Sequence, residues 1–189
     1  NKNIISSAKI AAERSNKDVT VLETTSMLGG HYIVKNKDLN MEKIAKNLNR
    51  NSSVEITRAV RNTKVDNLEI SEGDYIAMVN GRIREKASSL KELVEIIKEN
   101  YITEYTLNVF VSIGKDADKE ATAVLREIGG EKSYTDIEGN QNNYPYYIYI
   151  ENRDPKLAEI AIVTDSTSDL TPELIKDLDV EIVPLKIKL

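Results

Sequence analysis

Runs with a helical apolar stripe alternate with short β-branched runs along the whole chain, and that alternation restricts it to an α/β architecture. Ile4, Ala8, Ala11 and Ala12 fall on one helical face, ended at Asn16. Met41, Ile44, Ala45 and Leu48 repeat at the spacing of a half-buried helix. Between these two helices, Val19, Val21 and Leu22 predict a short strand that runs into a loop from Thr24 to Gly30. Residues 54–60, 65–70, 75–79 and 82–84 predict further strands. Asn80-Gly81 between the last two is a hairpin signal, because a type I′ turn needs positive φ at both central positions.

Ser89 and Glu92 form a capping box ahead of Leu90, Leu93, Val94 and Ile97, which predicts a helix there. In the next strand Tyr105, Leu107, Val109, Val111 and Ile113 alternate while Phe110 takes the opposite side, as in a sheet covered on both faces. Ala121, Val124, Leu125 and Ile128 predict a helix closed by Gly129-Gly130. Strands at 132–137 and 146–150 bracket the polar turn 138–143. The segment 151–159 is charged, contains Pro155 and lacks periodicity, which marks a linker. Beyond it come a strand at 160–163, a helix started by Thr171-Pro172 and a strand at 180–189. That order is a βαβ unit and implies a parallel pair. The expected division is two small α/β lobes at 1–86 and 87–152, a linker at 153–158 and a partial βαβ at 159–189.

Composition removes most catalytic templates. Cysteine is absent, which excludes disulfides, thiolate metal sites and a cysteine nucleophile, and fits a cytoplasmic location. His31 is the single histidine, so a Ser-His-Asp triad has one possible base and a histidine-rich zinc site is excluded. A net charge of −5 argues against nucleic acid or an anionic membrane as partner. No apolar run reaches the roughly 18 residues that span a bilayer, and no signal peptide opens the chain. The chain starts without Met and stops inside a strand pattern, so it reads as a piece of a longer protein.

The segment Ile162-Val-Thr-Asp-Ser-Thr-Ser-Asp-Leu-Thr-Pro-Glu-Leu174, followed by Val180-Glu-Ile-Val-Pro-Leu185, resembles the opening of DegV-family proteins, two-domain α/β proteins that hold a long-chain fatty acid. Asp165, Ser166, Thr167 and Ser168 form a hydroxyl-rich loop between strand and helix. Such a loop suits a carboxylate or phosphate; alternatively Asp165 and Ser168 cap the helix. In the family, the residues that grip the fatty acid carboxylate lie mainly further downstream. Residues 1–152 resemble the C-terminal region of the bacterial dihydroxyacetone-kinase-like fatty acid kinase subunit. The resemblance rests on Asn1-Lys-Asn-Ile4 with its alanine-rich helix, the loop after residues 19–22, Ala59-Val-Arg-Asn-Thr63, Glu72-Gly-Asp-Tyr-Ile76, Asn80-Gly-Arg-Ile83 and Asn143-Tyr-Pro-Tyr-Tyr-Ile148.

This resemblance implies lipid metabolism. ATP and magnesium are expected on an N-terminal domain outside this sequence, with no cofactor in these residues. The partner it implies is a fatty-acid-binding DegV-type carrier, and fatty acid reaches the system on the complete carrier. The chain itself is then a non-catalytic docking region, and the alternative is a lipid- or anion-binding regulatory module.

Three constellations have competing readings. His31, next to Gly29-Gly30, is either a surface or loop-packing residue, one that docks a partner, or one that takes part in catalysis or contacts phosphate. Tyr146 and Tyr147 are adjacent and must point to opposite faces, so either one is exposed for docking or both faces are covered. Asp116, Asp118 and Glu120 read as acids at a helix N-terminus rather than a calcium loop, and Arg58 and Arg61 read as partners of Asp66 and Asp74.

Overall fold

The computed structural model describes residues 2–24, 26–118, 121–130, 132–139, 141–158, 162–177 and 180–184. Two compact units divide between Arg153 and Asp154, at the start of the expected linker. In the first unit, helices α1 (Lys2–Glu13), α2 (Met27–Lys35) and α3 (Met41–Arg50) precede strand β1 (Ser52–Arg58). The hairpin β2 (Thr63–Val65) and β3 (Leu68–Ile70) follows, then β4 (Tyr75–Val79), β5 (Arg82–Ala87) and α4 (Leu90–Tyr101). Strand β6 (Thr106–Ile113), α5 (Ala121–Arg126) with a 3-10 turn (Glu127–Gly129), β7 (Ser133–Glu138) and β8 (Tyr146–Asn152) complete it.

One six-stranded sheet runs in the order β5-β4-β1-β8-β6-β7. It is antiparallel except for the parallel pair β6 and β7. Strand β8 lies between β1 and β6, with Ile148 opposite Val54 on one side and Val111 on the other. The expected lobes at 1–86 and 87–152 therefore share a sheet: a boundary that separates them in sequence does not separate them in space.

The Asn80-Gly81 hairpin forms as predicted, with φ of 50° and 79°. Asp66 also adopts a positive φ of 50°, and this turn splits the predicted strand at 65–70 into β2 and β3. The Ser89 side chain accepts the Glu92 N–H at 3.2 Å, but Glu92 reaches back to the N–H and hydroxyl of Ser88, one residue earlier than a reciprocal box requires.

Two further expectations are corrected. Residues 19, 21 and 22 form no strand, because no neighbouring strand completes a ladder with them. The predicted loop is instead the start of α2: Ser26 caps it by accepting the Gly29 N–H at 2.9 Å. Gly29 belongs in this helix because a Cβ there would stand 2.7 Å from the Thr24 hydroxyl. The stripe of α1 is also not buried as a face, since Ile4 and Ile10 are exposed and Ala8 and Ala12 only half-buried.

The core has two parts, one on each side of the sheet. Val54, Ile56, Val109, Val111, Ile148 and Ile150 face α4 and α5, where Leu93, Val94, Ile97, Leu125 and Ile128 seal them from water. On the other side Phe110, Tyr147 and Tyr149 pack under Leu28, Tyr32 and Ile44 of α2 and α3.

The second unit begins with a short helix, α6 (Pro155–Ala158), inside the expected linker. Strand β9 (Ile162–Asp165), helix α7 (Pro172–Asp177) and strand β10 (Val180–Val183) follow, with β9 and β10 parallel as the βαβ pattern requires. The outer parts of the predicted strands, residues 160–161 and 185–189, lie outside the described residues.

Candidate functional site

Strand alternation sends Val54 and Ile56 to the sealed face and Glu55 to the other. There α2 and α3 pack mainly over β8, and among the described residues no helix packs as closely over the half formed by β1 and β4 on this face. A cleft of about 700 Å³ opens where this cover stops. Its floor is Glu55, with Tyr147 directly opposite on β8 and Met78 directly opposite on β4. Thr24, Ser26 and Met27 form one wall, and Asn143 and Tyr144 another. Tyr144 meets Tyr147 edge-on, ring centroids 5.5 Å apart.

Beside this cleft the floor is held by polar side chains. Asn51 donates to the Tyr149 hydroxyl at 3.1 Å and accepts the Asn152 N–H at 2.9 Å. The Asn80 side chain accepts the Ser53 N–H at 2.9 Å, tying the hairpin turn to β1. Asn47 donates to the Tyr32 hydroxyl at 2.9 Å, fixing α3 against α2. Burial pushes the Tyr149 hydroxyl up to about 12, so it stays a neutral donor and acceptor.

Glu55 is 7 % exposed. Burial pushes its carboxyl up to about 7, against smaller opposing effects of the Ser53 hydroxyl and its own backbone N–H. A buried carboxyl in a cleft is a functional-site signal in its own right. The sequence carried a trace of it, a charged residue between Val54 and Ile56, but a charge at such a position is ordinary wherever that face meets solvent.

The residues singled out from sequence do not converge. Tyr146 and Tyr147 do point to opposite faces, and both are buried, at 2 % and 7 %. The Tyr146 hydroxyl accepts the Asp118 N–H at 3.1 Å on the sealed side, while Tyr147 lies on the cleft floor. His31 is exposed on α2 within a helix rather than a flexible loop, its ring 6.3 Å from that of Phe110. Arg58 does not pair with an acid: it donates to the Tyr75 hydroxyl at 2.6 Å and stacks over that ring, while Asp74 pairs with Lys86.

In the second unit, the loop after β9 is closed on itself. The Asp165 side chain accepts from the N–H and hydroxyl of Thr167, and these bonds hold its carboxyl below the usual range. The Ser168 N–H goes to the Asp165 carbonyl and the Ser166 N–H to the Val183 carbonyl. Thr171, not Asp165 or Ser168, is the hydroxyl that accepts from the first turn of α7. Among the described residues no group of three or more His, Asp or Glu side chains is placed to hold a metal ion. No helix among the described residues is long and apolar enough to cross a membrane.

Comparison with known proteins follows the two units. Residues 1–151 match the FakA-like C-terminal family of fatty acid kinases. Residues 159–189 match the DegV family, described as uncharacterised. An uncharacterized protein of Staphylococcus saprophyticus is 28 % identical over 158 residues, covering 79 % of this chain and 28 % of the relative. An uncharacterized protein of Staphylococcus aureus strain USA300 is 27 % identical over 164 residues, covering 80 % of this chain and 29 % of the relative. The chain thus spans under a third of the length of these curated relatives.

Among solved structures, a DegV family protein from Thermus thermophilus, described for its fatty acid binding, aligns with a TM-score of 0.55 at 18 % identity. It covers 79 % of this chain and 66 % of its own. A likeness over that much of the chain cannot be confined to residues 154–189, so the first unit shares in the DegV-like fold.

Proposed function

Given that this chain belongs to the FakA-like C-terminal family of fatty acid kinases, we propose that its first unit docks a fatty-acid-binding DegV-type carrier and itself transfers no phosphoryl group. In the parent reaction the γ-phosphoryl of ATP passes to the carboxylate of the carrier-held fatty acid, giving an acyl phosphate and ADP. On this reading ATP and magnesium are held by polypeptide outside these residues.

The observation that carries this reading is the half-covered second face of the sheet. Met27 is exposed and Met78 half-buried beside the cleft, so apolar and polar groups are offered together, as in protein interfaces. A lipid site needs a largely apolar lining, whereas this floor is occupied by Glu55 and bordered by Asn51, Ser53 and Asn80. The alternative module, with an anion at Asp165 to Ser168, has less support: those backbone N–H groups already have partners and Asp165 is itself an anion. The adjoining DegV-type segment suggests a fusion that raises the effective carrier concentration near its docking surface.

The test is calorimetric titration of this chain with a separately made, complete, fatty-acid-loaded DegV-type carrier, alongside native mass spectrometry of the chain alone. Saturable binding of carrier, and no co-purified fatty acid on the chain, is the expected result. Absence of carrier binding, or ATP turnover by this chain in isolation, overturns it.

A further inference from the structure

Glu55 has no counter-charge among the described residues. The groups facing it are Tyr147 from β8, Met78 from β4, Tyr144 from the preceding loop, and Thr24 and Ser26 of the wall, and none is cationic. The adjoining hollow is lined by one charged residue, Glu23, which is acidic as well. A carboxyl on a residue only 7 % exposed, without a cation, costs stability. Its surroundings suit a long basic side chain: Met27 and Met78 line the way for an aliphatic stem, and two tyrosine rings flank the end. The net charge of −5 draws a partner that presents basic groups.

Resting on the docking reading above, we propose that the cleft receives a lysine or arginine side chain of the docked carrier, with the Glu55 carboxylate as its counter-charge. The carboxylate then anchors the register of docking, and the bound cation holds it ionised. Binding near neutral pH therefore expels the proton that a half-protonated Glu55 carries in the free chain.

The experiment titrates the complete, fatty-acid-loaded carrier into this chain at pH 7 in two buffers of different ionisation enthalpy. Wild type is expected to release about half a proton per complex. Glu55→Gln is expected to bind at least about tenfold more weakly and to release none. Met27→Arg supplies a cation from the cleft wall itself and is expected to weaken binding to a similar degree. Should Glu55→Gln not fold, Met27→Arg and the wild-type proton count decide alone. Wild-type affinity and proton release retained in the variants overturn the Glu55 assignment and leave docking standing. No binding of carrier by wild type removes the docking reading and this inference with it.

Discussion

The two faces of the central sheet are built from alternate residues of the same strands and yet behave differently. On the face under α4 and α5, Val54, Ile56, Val111, Ile148 and Ile150 meet aliphatic side chains, and all are at or near zero exposure. On the face under α2 and α3, the buried strand residues are the aromatics Phe110, Tyr147 and Tyr149, and the hydroxyls of Tyr32 and Tyr149 accept from Asn47 and Asn51. The first face is closed and apolar; the second is partly open and contains a buried acid. A sheet of this kind separates two tasks, with one side holding the fold together and the other free to carry groups that cost stability.

Breaking the closed face is expected to have the largest effect. Ile97→Ala removes a fully buried side chain from α4 and is expected to cost about 4 kcal/mol by urea denaturation. A loss below about 1 kcal/mol would mean that this face is not the anchor of the unit.

The pH profile tests the open face. Below about 4.5 Glu55 is protonated in both folded and unfolded chains and contributes no penalty. Between about 4.5 and about 7 only the unfolded chain has released that proton, so stability falls as pH rises, and above 7 the penalty is complete. Glu55→Gln should therefore be more stable than wild type at pH 8, by up to about 3 kcal/mol, and indistinguishable near pH 4. Equal stability at both pH values would show that the carboxyl is well solvated.

Smaller effects sharpen the contrast. Tyr149→Phe leaves the Asn51 side-chain N–H without its buried acceptor and is expected to cost about 1.5 kcal/mol by urea denaturation. Ser89→Ala removes the cap of α4 and is expected to lower stability by about 1 kcal/mol, seen as a lower Tm. Its effect should be independent of pH, unlike that of Glu55→Gln.

Much of the fold was legible because its signals are local. The Asn80-Gly81 turn, the Ser89 cap, the α4 stripe and the βαβ at the end each depend on residues within a few positions. Phe110 standing out of register with Val109 and Val111 foretold a sheet covered on both faces. Where reading failed, a distant partner or a close contact had decided the matter. Residues 19–22 have strand-like side chains but no ladder, and Gly29-Gly30 resembles a loop, yet both lie in α2, where Gly29 stands close to the Thr24 hydroxyl. The candidate site was the least legible part: Tyr147 was singled out for docking, but Glu55 beside it was not.

The sequence by itself determined which residues share a side of each strand, since alternation in a β-strand is a property of the backbone alone. It also determined the Asn80-Gly81 turn, through residues able to adopt positive φ. Only the tertiary structure decided that β8 enters between β1 and β6, because its pairing with β1 joins residues about a hundred positions apart. Only the placing of α2 and α3 over β8 decided that Glu55 lies in a cleft rather than in open water. Burial is set by what packs above a residue, and no local pattern of side chains records it.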